Sequence, residues 1–296
     1  MTESSARRYK GDGSVPAGGT AQTRGERGRY LADTQLVSAV NTALIVGQPL
    51  LVTGEPGTGK TTLAWSIASE LGLGDVLTVH VRSDHRATDA LYEVDNLRRF
   101  YDAQIQDPRA KQPELYLTWN ALGEAIRSKD QRLVLIDEID KAPRDFPNDL
   151  LNEIDQMAFE IPAFGMKFAA TVRPVVVITS NSERQLPDPF LRRCVFHRID
   201  FPAPDRLRQI LQERLGHLSL ADKLLDVAIR RFGQVRQLPG IEKKPATGEL
   251  LAWVKVLAST GVSSDALDRA KLSELPAPET LAKTDPDVRL LRQATG

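Results

Sequence analysis

The chain has 296 residues, 41% hydrophobic and 26% charged, which suits a folded globular protein of one large domain or two smaller ones. Lysine plus arginine balances aspartate plus glutamate at 39 each, so no global field is present to draw in nucleic acid or an anionic membrane. The single cysteine, Cys194, excludes an intrachain disulfide, and no apolar run resembles a signal peptide or approaches the roughly 20 residues of a membrane span, so a cytoplasmic protein is expected.

Residues 1–28 are rich in Gly, Ser, Thr and Arg and almost free of large apolar side chains, which predicts a flexible, mildly basic arm. From residue 29 the pattern changes. Leu36, Val40, Leu44 and Ile45 fall at helical spacing, and Gly47 can end that helix. "PLLVTG" predicts a short buried strand running into a glycine loop, and "TTLAWSIASELG" a helix stopped at Gly72. "VLTVHV" at 76–81 reads as a second strand. The polar stretch 82–118 is too long for an ordinary connection and predicts an insertion with short elements of its own. "QRLVLIDEIDKA" is a strand closing in acids. "NDLLNEIDQMAFE" predicts a helix with Leu150, Ile154 and Met157 or Ala158 on one face, and "RPVVVITSN" a strand ending at Asn181. Apolar strands alternating with helices indicate an α/β fold with a doubly wound parallel sheet over 29–203. Beyond "RIDFPAP" the strands stop. "DRLRQILQERLG", "LADKLLDVAIRRFGQV" and "ATGELLAWVKVLAS" are helical in period, predicting an all-helical domain over 204–296.

The stretch Gly54, Glu55, Pro56, Gly57, Thr58, Gly59, Lys60, Thr61, followed by Thr62, fits G-x-x-x-x-G-K-[ST]. Such a loop turns several backbone N–H groups into one anion-binding concavity, and the helix behind it adds its positive dipole end. Lys60 supplies a full charge for the β- and γ-phosphates of a nucleotide, and the Thr61 hydroxyl is placed to ligate Mg²⁺. Asp137 and Glu138 close a buried strand, at the edge where open α/β sheets bind ligands. Asp137 would hold Mg²⁺, directly or through water, and Glu138 would act as general base on an attacking water. Asn181, ending the next strand, can hydrogen-bond both the γ-phosphate and that water. Arg192 and Arg193 follow, and either guanidinium could serve a neighbouring subunit's phosphates. The four histidines show no metal-ligand spacing, and Cys194 reads as a buried structural thiol.

In order and wording, "GEPGTGKT", "LVLIDEIDKAPRDFPNDLLNEID" and "VVVITSNSERQLPDPFLRRCVFHRIDFP" resemble the AAA+ ATPases, and more narrowly their MoxR branch, from residue 33 to about 292. The resemblance implies a P-loop NTPase core with a small helical lid, ATP bound in the cleft between them, Mg²⁺, and a homo-oligomeric ring, a hexamer in this family. It makes Gly54–Thr62 Walker A, Asp137 and Glu138 Walker B, Asn181 sensor 1, and Arg192, Arg193 or both the arginine finger acting in trans. "AFEIPAFGMKFAATVRP" resembles the hairpin that precedes sensor 1. One departure stands out. Where relatives carry a sensor 2 arginine, this chain reads "EKKPATGELLAW", with Ala246 in the arginine's place and Lys243 or Lys244 as the substitute.

The function implied is ATP-driven remodelling or chaperone-type maturation of a protein partner, a von Willebrand A domain protein being the family's usual client. Two other functions are open at this stage: a nucleotide-gated scaffold with slow turnover, favoured by the altered sensor 2 region, and a nucleic-acid motor or loader, which the charge balance disfavours.

Overall fold

The computed structural model describes residues 8–14, 30–218 and 220–294. Its contacts separate an α/β unit, running to Ile199, from a helical unit that starts at Asp200 and also takes in the loop tip Glu55–Thr58.

The α/β unit opens with α1 (Thr34–Val46). The Asp33 carboxylate accepts the Leu36 N–H at 2.7 Å and caps its start, and Gly47, at φ +67°, ends it in the left-handed region. There follow β1 (Leu50–Thr53), α2 (Lys60–Leu71) and β2 (Leu77–His80). The insertion does carry its own elements, with β3 (Tyr92–Val94) and β4 (Leu117–Trp119) pairing antiparallel around α3 (Asn96–Gln104). Then come α4 (Ala121–Arg127), β5 (Leu133–Asp137), α5 (Phe146–Asp149), α6 (Leu151–Gln156), the hairpin β6 (Ala158–Ile161) and β7 (Met166–Ala169), β8 (Val175–Ser180), α7 (Asp188–Leu191) and β9 (Val195–Arg198).

Five strands form one parallel sheet in the order β2-β5-β8-β1-β9. Its two faces follow from the two-residue period of a strand. Leu133 and Leu135 face a core shared with α1 and α2, while Val134 and Ile136 face a second core with α4, α5 and α6. Burial on both sides is why β5 reads as a continuous apolar run. The register aligns His80 with Asp137 and Thr53 with both Ser180 and Arg198, so the five strands finish together at one edge.

Three expectations need correction, and one strand was not expected. The free arm expected over 1–28 is pinned at Arg8–Ser14, where Tyr9 is fully buried; the rest of that arm lies outside the described residues. Ile45, expected on the buried face of α1, is 81% exposed; Ala43 takes its place in the core. The helix expected through Glu160 ends at Gln156, because Met157 turns left-handed at φ +47° and the chain enters β6. The edge strand β9 carries no signal in the sequence: its residues alternate half-buried and exposed, with His197 and Arg198 among them.

The helical unit holds the three expected helices as α8 (Pro204–Leu215), α9 (Asp222–Arg236) and α10 (Thr247–Ser259), and adds the shorter α11 (Ser264–Arg269) and α12 (Asp285–Gln293). Trp253 is wholly buried in its core and donates from Nε1 to the Pro276 carbonyl at 2.7 Å, so its one polar atom is satisfied. Among the described residues no helix is long and apolar enough to cross a membrane.

Candidate active site

The glycine loop leaves β1 at Gly54 and returns into α2 at Lys60. Gly54, Gly57 and Gly59 all have positive φ (149°, 75° and 92°), the backbone sequence a phosphate-cradling loop requires and side chains resist. Gly59 caps α2 without a side-chain hydrogen bond, and a helix start directs its first N–H groups and its positive dipole end outward, as an anion requires. Lys60 is 6% exposed and donates from Nζ to the Gly54 carbonyl at 2.8 Å, folding its charge over the loop. Thr58 closes the tip, its hydroxyl donating to the Glu55 carbonyl at 2.9 Å, while Pro56 and Gly57 are exposed.

The acids at the end of β5 lie against this loop's helix. Asp137 Oδ1 accepts two hydroxyls, Thr61 Oγ1 at 3.0 Å and Thr179 Oγ1 at 2.7 Å. Thr179, fully buried on β8, in turn accepts the Glu138 backbone N–H at 2.8 Å. Glu138 needs that hold: its backbone sits at φ +59°, a conformation that costs a non-glycine residue about 1 kcal/mol or more. The Glu138 carboxylate accepts Asn181 Nδ2 on Oε1 at 3.1 Å and Lys141 Nζ on Oε2 at 2.5 Å. The bond to Glu138 holds the Lys141 pKa above its ordinary value. Asp140, buried behind them, accepts the backbone N–H groups of Asn181 and Glu183 and fixes the loop that carries sensor 1's candidate.

The fold thus gathers Lys60, Thr61, Asp137, Glu138 and Asn181 from two strand ends and one helix start. It separates the two arginines by their partners. Arg193 is engaged, pairing with Asp155 at 2.6 Å and bonding the Pro189 carbonyl, whereas the exposed Arg192 donates its backbone N–H to the Asp188 carbonyl and its side chain makes no hydrogen bond or ion pair among the described residues. Between them and β9 the Cys194 thiol is pushed up to about 12, by burial first and the Asp155 charge second, so it stays protonated.

Lys244 is exposed and bonds nothing among the described residues, and Lys243 donates its backbone N–H to Asp287. Within the helical unit the cation at the loop tip is Arg236, the last residue of α9. It donates to Glu55 Oε2 at 2.6 Å and to the Pro245 carbonyl, with its guanidinium 3.5 Å from the centre of the Phe201 ring. Ala246 lies close to Gly57: a Cβ added there would sit 2.7 Å from the Ala246 Cβ. An arginine at 246 would have to displace the loop tip or turn away from it.

Four polar residues of this region were not expected from the sequence: Thr179, Asp140, Lys141 and Arg236. The "DEIDK" spelling held the only available signal, for Asp140 and Lys141, because it places them one 3₁₀ turn beyond Glu138. Among the described residues no group of three or more His, Cys, Asp or Glu could hold a metal by itself.

No curated protein matches the chain. Residues 50–203, more than half of its length, match the family described as AAA, ATPase family associated with various cellular activities. That stretch contains the glycine loop, the sheet and every strand-end residue described above. On this match, and with a sheet and loop of the kind such an enzyme requires, the chain belongs to the AAA ATPases.

Proposed function

We propose that the chain is a Mg²⁺-dependent ATP hydrolase of the MoxR type, working as a homo-oligomeric ring that remodels or matures a protein partner. The observation that carries the hydrolysis is the hydrogen-bonded path Thr61–Asp137–Thr179–Glu138–Asn181, which begins on α2 beside Lys60. The ring, the MoxR assignment, a von Willebrand A client and a cytoplasmic setting rest on the sequence resemblance.

The Thr61 hydroxyl and the Asp137 carboxylate are hard oxygen donors held side by side, and so fit Mg²⁺, which takes one or two such protein ligands and completes its shell with phosphate oxygens and water. When bound, Mg²⁺ neutralises charge developing on the β- and γ-phosphates. Lys60 and the loop's N–H groups hold the triphosphate tail. Glu138 accepts the proton of the attacking water, and Asn181, bonded to the same carboxylate, orients both. Of the two arginines Arg192 is the better candidate for the trans-acting finger, because Arg193 would first have to leave Asp155.

A second reading has its own support. Both Glu138 oxygens are occupied here, by Lys141 and Asn181, and a base so held accepts a water only after one contact yields. With Ala246 at the sensor 2 position, this favours a nucleotide-gated scaffold with slow turnover. Turnover per ring, measured against ring stability in ATP, separates the two.

The test is steady-state ATP hydrolysis with Mg²⁺, with excess EDTA, and by Asp137→Ala, Arg192→Ala and Arg193→Ala chains. Hydrolysis that needs Mg²⁺, is abolished in Asp137→Ala and falls about 10³-fold in Arg192→Ala is expected. An Asp137→Ala chain with parental turnover overturns the site; a larger loss in Arg193→Ala than in Arg192→Ala overturns the assignment of the finger.

A further inference from the structure

The segment Arg8–Ser14 has no regular secondary structure and one large apolar side chain, yet it is ordered by the surface that receives it. Tyr9 is 0% exposed, and its hydroxyl hydrogen-bonds the Ser66 hydroxyl on α2 at 2.9 Å. Burial pushes the Tyr9 pKa up, which keeps that hydroxyl protonated. Asn41 on α1 grips the same residue's backbone twice: its Oδ1 accepts the Tyr9 N–H at 3.0 Å and its Nδ2 donates to the Tyr9 carbonyl at 2.8 Å. The amide side chain does for Tyr9 what a neighbouring strand would do. One carboxylate, Glu70 on α2, then accepts three backbone donors, Lys10 and Gly11 on Oε2 and Gly13 on Oε1, at 2.9–3.0 Å. The peptide wraps the anion as a nest of N–H groups.

That wrapping sets the sequence. Gly11 and Gly13 lie at φ +71° and +68°, where side chains are strained. At Gly11 space also forbids one, since a Cβ would come within 2.6 Å of Ala32 Cβ and 2.7 Å of Val37 Cγ2. The Gly11 carbonyl accepts the Ala32 N–H at 2.9 Å, so the receiving surface answers it in both directions. Tyr9 is read by its side chain and both glycines by their backbone shape. Asn41, Ser66, Glu70, Ala32 and Val37 all belong to residues 32–70, separated from the segment by a stretch of which residues 15–29 lie outside the described residues.

We propose that the surface made by α1 and α2, through Asn41, Ser66, Glu70 and Val37, is a peptide-binding site specific for a Tyr-x-Gly-x-Gly segment, and that this chain's own Arg8–Ser14 is its tethered ligand. The receiving helix α2 begins at Lys60, so the occupied site braces the helix on which the glycine loop ends.

The probe is a fluorescein-labelled synthetic peptide with the sequence of residues 8–14, titrated by anisotropy against full-length wild-type, Tyr9→Ala and Gly11→Ala chains, each checked for folding by thermal melting. In the variants the tethered ligand is defective and α1 and α2 are untouched. Both variants are expected to bind the probe saturably. The wild-type chain is expected to bind it at least tenfold more weakly, because its own segment competes within the same molecule. Probe peptides carrying the same Tyr→Ala or Gly→Ala change are expected to fail. Equal binding to wild type and variants, no binding to the variants, indifference to the probe's tyrosine and first glycine, or unfolding of both variants would each overturn the proposal; the last would make the segment part of the core rather than a ligand.

Discussion

Thr179 does for the strand ends what neither acid can do for itself. Its hydroxyl donates to Asp137 and accepts the Glu138 N–H, so one buried side chain fixes both carboxylates relative to the sheet. Thr179→Val keeps the shape and removes the bridge, leaving the Glu138 N–H without its acceptor. Unfolding free energy should fall by about 1–3 kcal/mol in urea titrations. Turnover should fall about tenfold to a hundredfold, as when the partner of a metal-side carboxylate is lost. Unchanged stability and turnover would show that the bridge is incidental. The sequence offers Lys60, Thr61, Asp137, Glu138 and Asn181 as candidates because each sits where a strand or loop ends and its chemistry stands out there. It passed over Thr179 because a threonine inside an apolar strand reads as a strand former. It passed over Arg236 because an arginine in a helix's last turn reads as a complement to the helix dipole.

At the scale of elements, the insertion after β2 is locked by backbone proximity. A Cβ added at Gly123 on α4 would lie 2.0 Å from the Leu91 carbonyl oxygen, just before β3. In an open helix Gly→Ala is worth about 1 kcal/mol of stabilisation. Here the clash opposes it with about 1–3 kcal/mol or more, because a backbone atom cannot step aside cheaply. Gly123→Ala is therefore expected to lower the urea midpoint, and a raised midpoint would show that β3 and α4 are not packed this closely. The buried elements were the legible ones. β1, β5 and β8 announce themselves as apolar runs, and the helix starts and stops at Asp33, Gly47 and Gly72 are spelled in cap residues. β9 was illegible because an edge strand half open to solvent needs no apolar run, and the end of α6 was illegible because nothing in "DQMAFE" marks Met157 as left-handed.

Across the whole molecule, the balance of 39 basic and 39 acidic residues leaves recognition to local chemistry rather than to a long-range field. That chemistry is concentrated where five parallel strands end together, beside a glycine loop whose backbone can hold phosphate. In the proposed function Lys60 and the loop would bind phosphate, Asp137 with Thr61 would suit the metal, and Glu138 would accept the proton. Glu138→Gln separates these roles, because the amide keeps the shape and loses the base. Measured on one preparation, its affinity for ATP with Mg²⁺ should stay within about threefold of the parent while hydrolysis falls at least a hundredfold. Hydrolysis at the parental rate by this variant would contradict the account.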